Sequence, residues 1–276
     1  MKTNNVSTII LILITLLSAA GPELAAQQII AGTFISNGQA RGFSGAVPSS
    51  PQTPLRLVIL LHGSSENAGE MVQRGFNDYL GNNTIVVYPN AVDRIAGFDG
   101  TDTVDDYQMV EDLIAHFDSI YSIDTGDICI GGFSSGGRLT YNLVCDFNSP
   151  SSTRDYRFKA FAVVSGFVDT SYRANCPVIS QVPLIAFHGT DDGVATYNGG
   201  TLALVDNFPA DSTESVVDFW ATNINGCNAN PTVTALPDLV TEQFTPSTTE
   251  RQEYDCPCRR NSEFYRIVGG SHSWPS

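Results

Sequence analysis

A glycine-framed serine, a later aspartate pair and a late histidine follow one another along this chain, and those three residue types together can carry out acyl transfer. Ser134 stands in Gly132-Phe133-Ser134-Ser135-Gly136-Gly137, which follows the apolar run Ile128-Cys129-Ile130 after Gly131. A Gly-x-Ser-x-Gly between a strand and a helix sets the serine at the tip of a sharp turn, because glycine tolerates a bend too tight for a Cβ. A serine hydroxyl is a poor nucleophile near neutral pH. It needs a base within hydrogen-bond reach, and the base needs a carboxylate to fix its tautomer. The chain has four histidines. His116 precedes the serine among charged neighbours and is expected on the surface. His62 and His188 each close an apolar run in a His-Gly pair, where an imidazole braces the following loop. His272, in Gly269-Gly270-Ser271-His272-Ser273-Trp274-Pro275, is the expected general base. The acid is expected in His188-Gly189-Thr190-Asp191-Asp192-Gly193, and the residues alone do not separate Asp191 from Asp192. The developing oxyanion calls for two backbone donors, assigned to the N–H of Ser135 and to that of Ser64 in the loop after His62-Gly63.

Such residues need a rigid frame. Leu55–Leu61, Thr84–Tyr88, Ile128–Gly131, Ala160–Val164, Leu184–Phe187 and Phe264–Val268 are short, continuously apolar runs closed by turn residues. Continuous rather than alternating apolar character fits parallel strands covered on both faces. Helix-length segments separate them, which implies right-handed βαβ units and an open, mostly parallel sheet with helices on both faces. Thr103-Val104-Asp105-Asp106 reads as a capping box for a helix with Tyr107, Val110, Leu113, Ile114, Phe117, Ile120 and Tyr121 along one face. Further helices are expected from about Gly136 to Cys145 and from about Ser212 to Asn223. Ile29 to Val47 reads as an antiparallel edge hairpin, and Leu236 to Glu253 as an irregular surface excursion.

Residues 1–26 read as a secretory signal peptide: Lys2, a short apolar run over Ile9–Leu17, then small residues, with cleavage after Ala20 or after Ala26. The apolar run is too short for a permanent membrane span. Residues 27–276 suit one domain. The net charge of −15 disfavours nucleic acid and anionic membranes as partners and favours neutral substrates. Six cysteines in an exported chain suit disulfides. Cys129, inside a strand, is the expected free buried thiol, and Cys256-Pro-Cys258 is spaced too tightly for a usual zinc site.

Taken together the motifs resemble those of the secreted esterases that group feruloyl esterases, acetylxylan esterases and polyhydroxybutyrate depolymerases, which have the α/β-hydrolase fold. The likeness is carried by Leu61-His62-Gly63, Gly132-Phe133-Ser134-Ser135-Gly136-Gly137, His188-Gly189-Thr190-Asp191-Asp192, Tyr197-Asn198-Gly199-Gly200, Trp220, Asn225-Gly226-Cys227 and His272-Ser273-Trp274-Pro275, in family order from about residue 54. It implies Asp192 as the acid, because the family's acid is the fourth residue after the histidine of the His-Gly-Thr motif. It also implies disulfides Cys145–Cys176 and Cys227–Cys256, with Cys258 the alternative to Cys256. Family members continue into a terminal helix past the His-x-Trp-Pro motif, whereas this sequence ends at Ser276; either the sequence is shortened or apolar surface is left bare.

The function so implied is a secreted serine carboxylesterase acting on feruloyl or acetyl groups of xylan through Ser134, His272 and Asp192, without metal or organic cofactor. Alternatives are an extracellular polyester depolymerase and, from another class, an inactive hydrolase-like glycan-binding protein. Trp274, beside the base, either lines an aromatic acyl pocket or packs the loop.

Overall fold

The computed structural model describes residues 25–95, 97–98, 105–177, 181–236, 248–257 and 262–274. Its centre is a sheet of ten strands. The inner six are β4 (Thr84–Pro89), β3 (Leu55–Leu61), β5 (Ile123–Phe133), β6 (Ala160–Val164), β7 (Leu184–Gly189) and β12 (Ser262–Val268), side by side in that order. Each pairs parallel to the next. The hairpin of β1 (Gln27–Ser36) and β2 (Gln39–Pro48) adds one antiparallel edge through β4. Opposite, β11 (Thr248–Tyr254) and β10 (Thr232–Leu236) add a second through β12.

The core divides by side-chain alternation. Leu57, Ile59, Ile85, Val87, Ile128, Ile130, Phe161 and Val163 point into one large cluster. That cluster also takes the apolar faces of α2 (Asp106–Ile120) and α3 (Ser135–Phe147). Val58, Leu60, Val86, Tyr88 and Cys129 point to the other face, where α1 (Ala68–Gln73) contributes Ala68 and Met71. Both faces are therefore covered, and that is why the central strands read as unbroken apolar runs. Loop contacts complete the frame: α4 (Tyr172–Asn175), a small hairpin of β8 (Gly200–Leu202) and β9 (Phe208–Ala210), and α5 (Thr213–Asp218), which runs on as a π-helical turn over Phe219–Ile224.

Three expectations change. The α2 cap is Asp105, whose side chain accepts from Gln108 N at 2.8 Å. Asp106 lies inside the helix, buried, with Arg41 of β2 at 2.7 Å, so its carboxylate answers a guanidinium rather than closing a box with Thr103, which lies outside the described residues. Part of the stretch expected to be irregular forms β11, antiparallel to β12. Its sequence, TTERQEY, has no apolar run because an outer strand is half solvated; Arg251–Glu263 and Arg266–Glu250 pairs, each at 2.9 Å, tie it to β12. The strand ahead of Ser134 also starts earlier, at Ile123.

Disulfides join Cys145 to Cys176 and Cys227 to Cys256. Cys129 is a buried free thiol, and burial pushes its pKa up to about 12. Cys258 and residues 1–24 lie outside the described residues.

Candidate active site

The turn between β5 and α3 bends hardest at Ser134, whose backbone sits at φ 53° and ψ −118°. A non-glycine residue held there stores about 1–3 kcal/mol of strain and persists only where its neighbours over-determine it. Ser134 N donates to Val164 O of β6 at 3.0 Å, and Ser134 O accepts from Arg138 N at 2.9 Å. A Cβ on Gly132 would overlap the carbonyl of Gly136, so the strand can fold back on the helix only with glycine there. The hydroxyl thus stands at the carboxyl edge of the sheet, where ligands bind in open α/β folds.

Two further loops converge on it. Their backbones are laced together: Thr190 N donates to Ile267 O at 2.9 Å, Asp191 N to Gly270 O at 2.9 Å and Gly269 N to Thr190 Oγ1 at 2.9 Å. A Cβ on Gly189 would collide with the Gly270 carbonyl, so the crossing requires glycine. This lacing brings His272 Nε2 to 2.9 Å from Ser134 Oγ, and His272 Nδ1 to 2.7 Å from Asp192 Oδ2. Asp192 is buried; Asp191 is exposed and faces Thr190. Asp192 Oδ1 accepts from Val194 N at 2.9 Å and Ala195 N at 2.8 Å. Burial opposes its ionised form, but hydrogen bonds from His188 and His272 outweigh burial and hold the carboxyl well below the usual carboxylate range. It is therefore an acceptor at neutral pH, suited to orienting an imidazole and stabilising its cation.

The other histidines have separate work. His62 Nδ1 donates to Gly63 O at 2.7 Å and Nε2 accepts from Ala91 N at 3.1 Å, so the ring braces two loops. Burial lowers its pKa against the pull of the Gly63 carbonyl, favouring this neutral form. His116 is half-buried against the rings of Phe34 and Phe43, at 6.0 and 5.7 Å between centroids, rather than simply solvated. His188 is buried and contacts Asp192 itself, at 3.3 Å.

The loop after β3 returns to the same point. Gly63 N donates to Glu66 Oε2 at 2.9 Å. Ser135 begins α3, where helix N–H groups lack intrahelical acceptors and the helix dipole favours negative charge. Ser64 and Ser135 meet against one residue: a Cβ on Gly97 would come within 3.0 Å of Ser64 Oγ and closer still to Ser135 Oγ. Ser135 Oγ is buried and has no hydrogen-bond partner among the described residues. Trp274 packs edge-on to Phe76 at 5.6 Å and Phe133 at 6.1 Å, with the Arg74 guanidinium 4.9 Å from its ring. Arg74 also covers Phe133 at 5.2 Å and pairs with Glu66, joining the histidine loop to the loop of Ser64. Glu66 and Arg74 escape a reading of the sequence because neither belongs to a chemical motif. Among the described residues no His, Cys, Asp or Glu group is placed to hold a metal, and no helix is long and apolar enough to cross a membrane.

A mostly parallel sheet between helical layers, with serine on a strained strand–helix turn and acid and imidazole on later strand ends, defines an α/β-hydrolase. Over 91% of this chain and 96% of the other, the fold superposes on an acetyl xylan esterase from Aspergillus awamori with a TM-score of 0.61 at 13% identity. In sequence the chain is 29% identical over 157 residues to a bifunctional acetylxylan esterase/xylanase of Neocallimastix patriciarum, covering 56% of this chain and 21% of that protein. It is 29% identical over 151 residues to a probable feruloyl esterase C of Aspergillus clavatus, 52% of this chain and 51% of that one. The chain thus spans about half or less of these relatives' length. No family model matches it. The likeness to this group of α/β-hydrolase esterases holds across about half of the chain.

Proposed function

We propose that this chain is an exported serine carboxylesterase that removes feruloyl or acetyl groups from plant polysaccharide. The observation that carries the reading is the unbroken line from Ser134 Oγ through both ring nitrogens of His272 to Asp192. Ser134 attacks the ester carbonyl while His272 Nε2 takes its proton. Asp192 holds the ring in the tautomer that leaves Nε2 free to accept, and stabilises the cation formed. Backbone N–H groups of Ser64 and Ser135 receive the oxyanion, each such donor contributing about 10²–10³ in rate. The imidazolium protonates the departing sugar oxygen. His272 then deprotonates a water, which attacks the acyl-serine carbonyl; the acid leaves and the serine proton returns. Residues 1–26 are the leader removed on export, and the two disulfides suit an oxidising compartment. Trp274 serves this chemistry by clasping the His272 loop.

The test is hydrolysis of p-nitrophenyl acetate by the full chain and its loss in Ser134→Ala. Initial rates on methyl ferulate, acetylated xylan and 3-hydroxybutyrate oligomers then assign the acyl group. Fastest turnover of the oligomers makes the chain a polyester depolymerase. A folded chain that binds xylan and cleaves no ester is a glycan-binding protein, and the reading fails.

A further inference from the structure

Asp192 holds more than one imidazole. His188, the last residue but one of β7, is 3% exposed, and its Nε2 lies 2.7 Å from Ala195 O and 3.3 Å from Asp192 Oδ2. Both neighbours of that nitrogen are acceptors, so it carries a proton. The other ring nitrogen is closed by Thr213 Oγ1 at 3.0 Å, at the start of α5. Asp192 Oδ2 is also the atom that faces His272 Nδ1.

We propose that His188 is a positioning residue of the site: held in place by Thr213, it anchors its one Nε2–H on Ala195 O and presents the same N–H, as a longer second branch, to the carboxylate oxygen that orients His272. Val194 N and Ala195 N bond the other oxygen and His272 Nδ1 the shared one, so three donors hold Asp192 and the His188 N–H closes the remaining direction at longer range. Its plane is fixed from three sides, and it turns toward His272 without reorganising. Presenting one oxygen to two imidazoles also spreads the carboxylate's negative charge over two partners instead of one. Among the described residues, the other charged or titratable groups near His188 include Tyr197, with ring centroids 5.8 Å apart, Glu214, bonded to the Tyr197 hydroxyl at 2.7 Å, and Arg266, opposite His188 on β12 with its guanidinium 5.8 Å over the Tyr197 ring. Near His272 they are Asp192 and, beyond the Phe133 and Trp274 rings, the Arg74–Glu66 pair.

The kinetic test rests on the proposed esterase reading. It compares the pH dependence of kcat/KM on p-nitrophenyl acetate in wild type, His188→Leu and His188→Gln. The leucine variant is expected to lose about tenfold in kcat and to shift the acid limb up by about half a pH unit. The glutamine variant, which keeps an N–H donor, returns both toward wild type. An unmoved limb, or equal losses in both variants, overturns the proposal, because packing alone makes no distinction between a donor and an isostere without one. Should the leucine variant fail to fold by near-ultraviolet circular dichroism, Thr213→Val decides the matter through the same limb, with the same two outcomes. A wild type without esterase activity removes the function instead. The low-field proton resonance of His272 Nδ1–H then tests His188: a shift in leucine but not in glutamine supports it, and an unchanged resonance in both refutes it.

Discussion

Replacing Asp192 by asparagine tests the geometry most sharply, because the side chain is 0% exposed and both carboxylate oxygens are engaged. One oxygen accepts from Val194 N and Ala195 N; the other faces His272 and His188. An amide has only one acceptor oxygen. If it serves the fixed backbone donors, the NH₂ group faces His272 Nδ1, and that nitrogen must become an acceptor. The ring proton then moves to Nε2, which faces Ser134 Oγ at 2.9 Å and can no longer take the serine proton. A wrong tautomer of this kind costs about 10⁴ in kcat, or about 5 kcal/mol of transition-state stabilisation. Asp191→Asn, by contrast, changes an exposed side chain outside the line and should leave kcat within about twofold. Steady-state hydrolysis of p-nitrophenyl acetate at neutral pH, with folding checked by circular dichroism, reads both. If the Asp192 variant kept a tenth of wild-type kcat, or the Asp191 variant lost as much as it, the reasoning from these hydrogen bonds would be wrong.

Other consequences are open to measurement. Because the folded-state pKa of Asp192 is depressed, its contribution to stability is complete above the unfolded value near 3.9 and is lost as pH falls further. The stability gap between wild type and Asp192→Asn in urea titrations should therefore stay level from about pH 7 to 5 and narrow below about pH 4; a gap that widens in acid contradicts the sign. Gly132→Ala forces a Cβ into the Gly136 carbonyl and should destabilise by about 3 kcal/mol, a fall in Tm of about 6–12 °C; calorimetry showing an unchanged Tm would rule out that crossing. Replacing Cys145 and Cys176 together by serine opens a closure of 31 residues and should cost about 3–4 kcal/mol, read as a lower urea midpoint; no midpoint change would contradict the loop-entropy argument.

Much of the fold is legible in the residue pattern. The six inner strands announce themselves because burial on both faces demands unbroken apolar runs, and Leu55–Leu61 and Ala160–Val164 coincide with β3 and β6. Ser134 and His272 are legible because glycines mark the turns that present them. Thr248–Tyr254 is not: an outer strand half in water carries charges whose partners lie on β12, and no local pattern encodes such pairing. The start of α2 is misplaced by its local pattern for a similar reason, since Asp106 meets Arg41 across 65 positions of sequence.

The sequence by itself determined which chemistries this protein holds: one serine on a tight turn, a short list of imidazoles, adjacent carboxylates, and the strand pattern that lifts them to one sheet edge. Those properties are local, set by residue type and by periodicity over a few positions. The motif resemblance points to Asp192; only the tertiary structure decided that its carboxylate and the Ser134 hydroxyl both reach His272, that His188 approaches the same oxygen, and that Arg74 joins two loops through Trp274 and Glu66. Those choices depend on side chains 80 and 138 positions apart coming within hydrogen-bond range, and such distances are settled by how strands stack and loops cross rather than by any neighbouring residue.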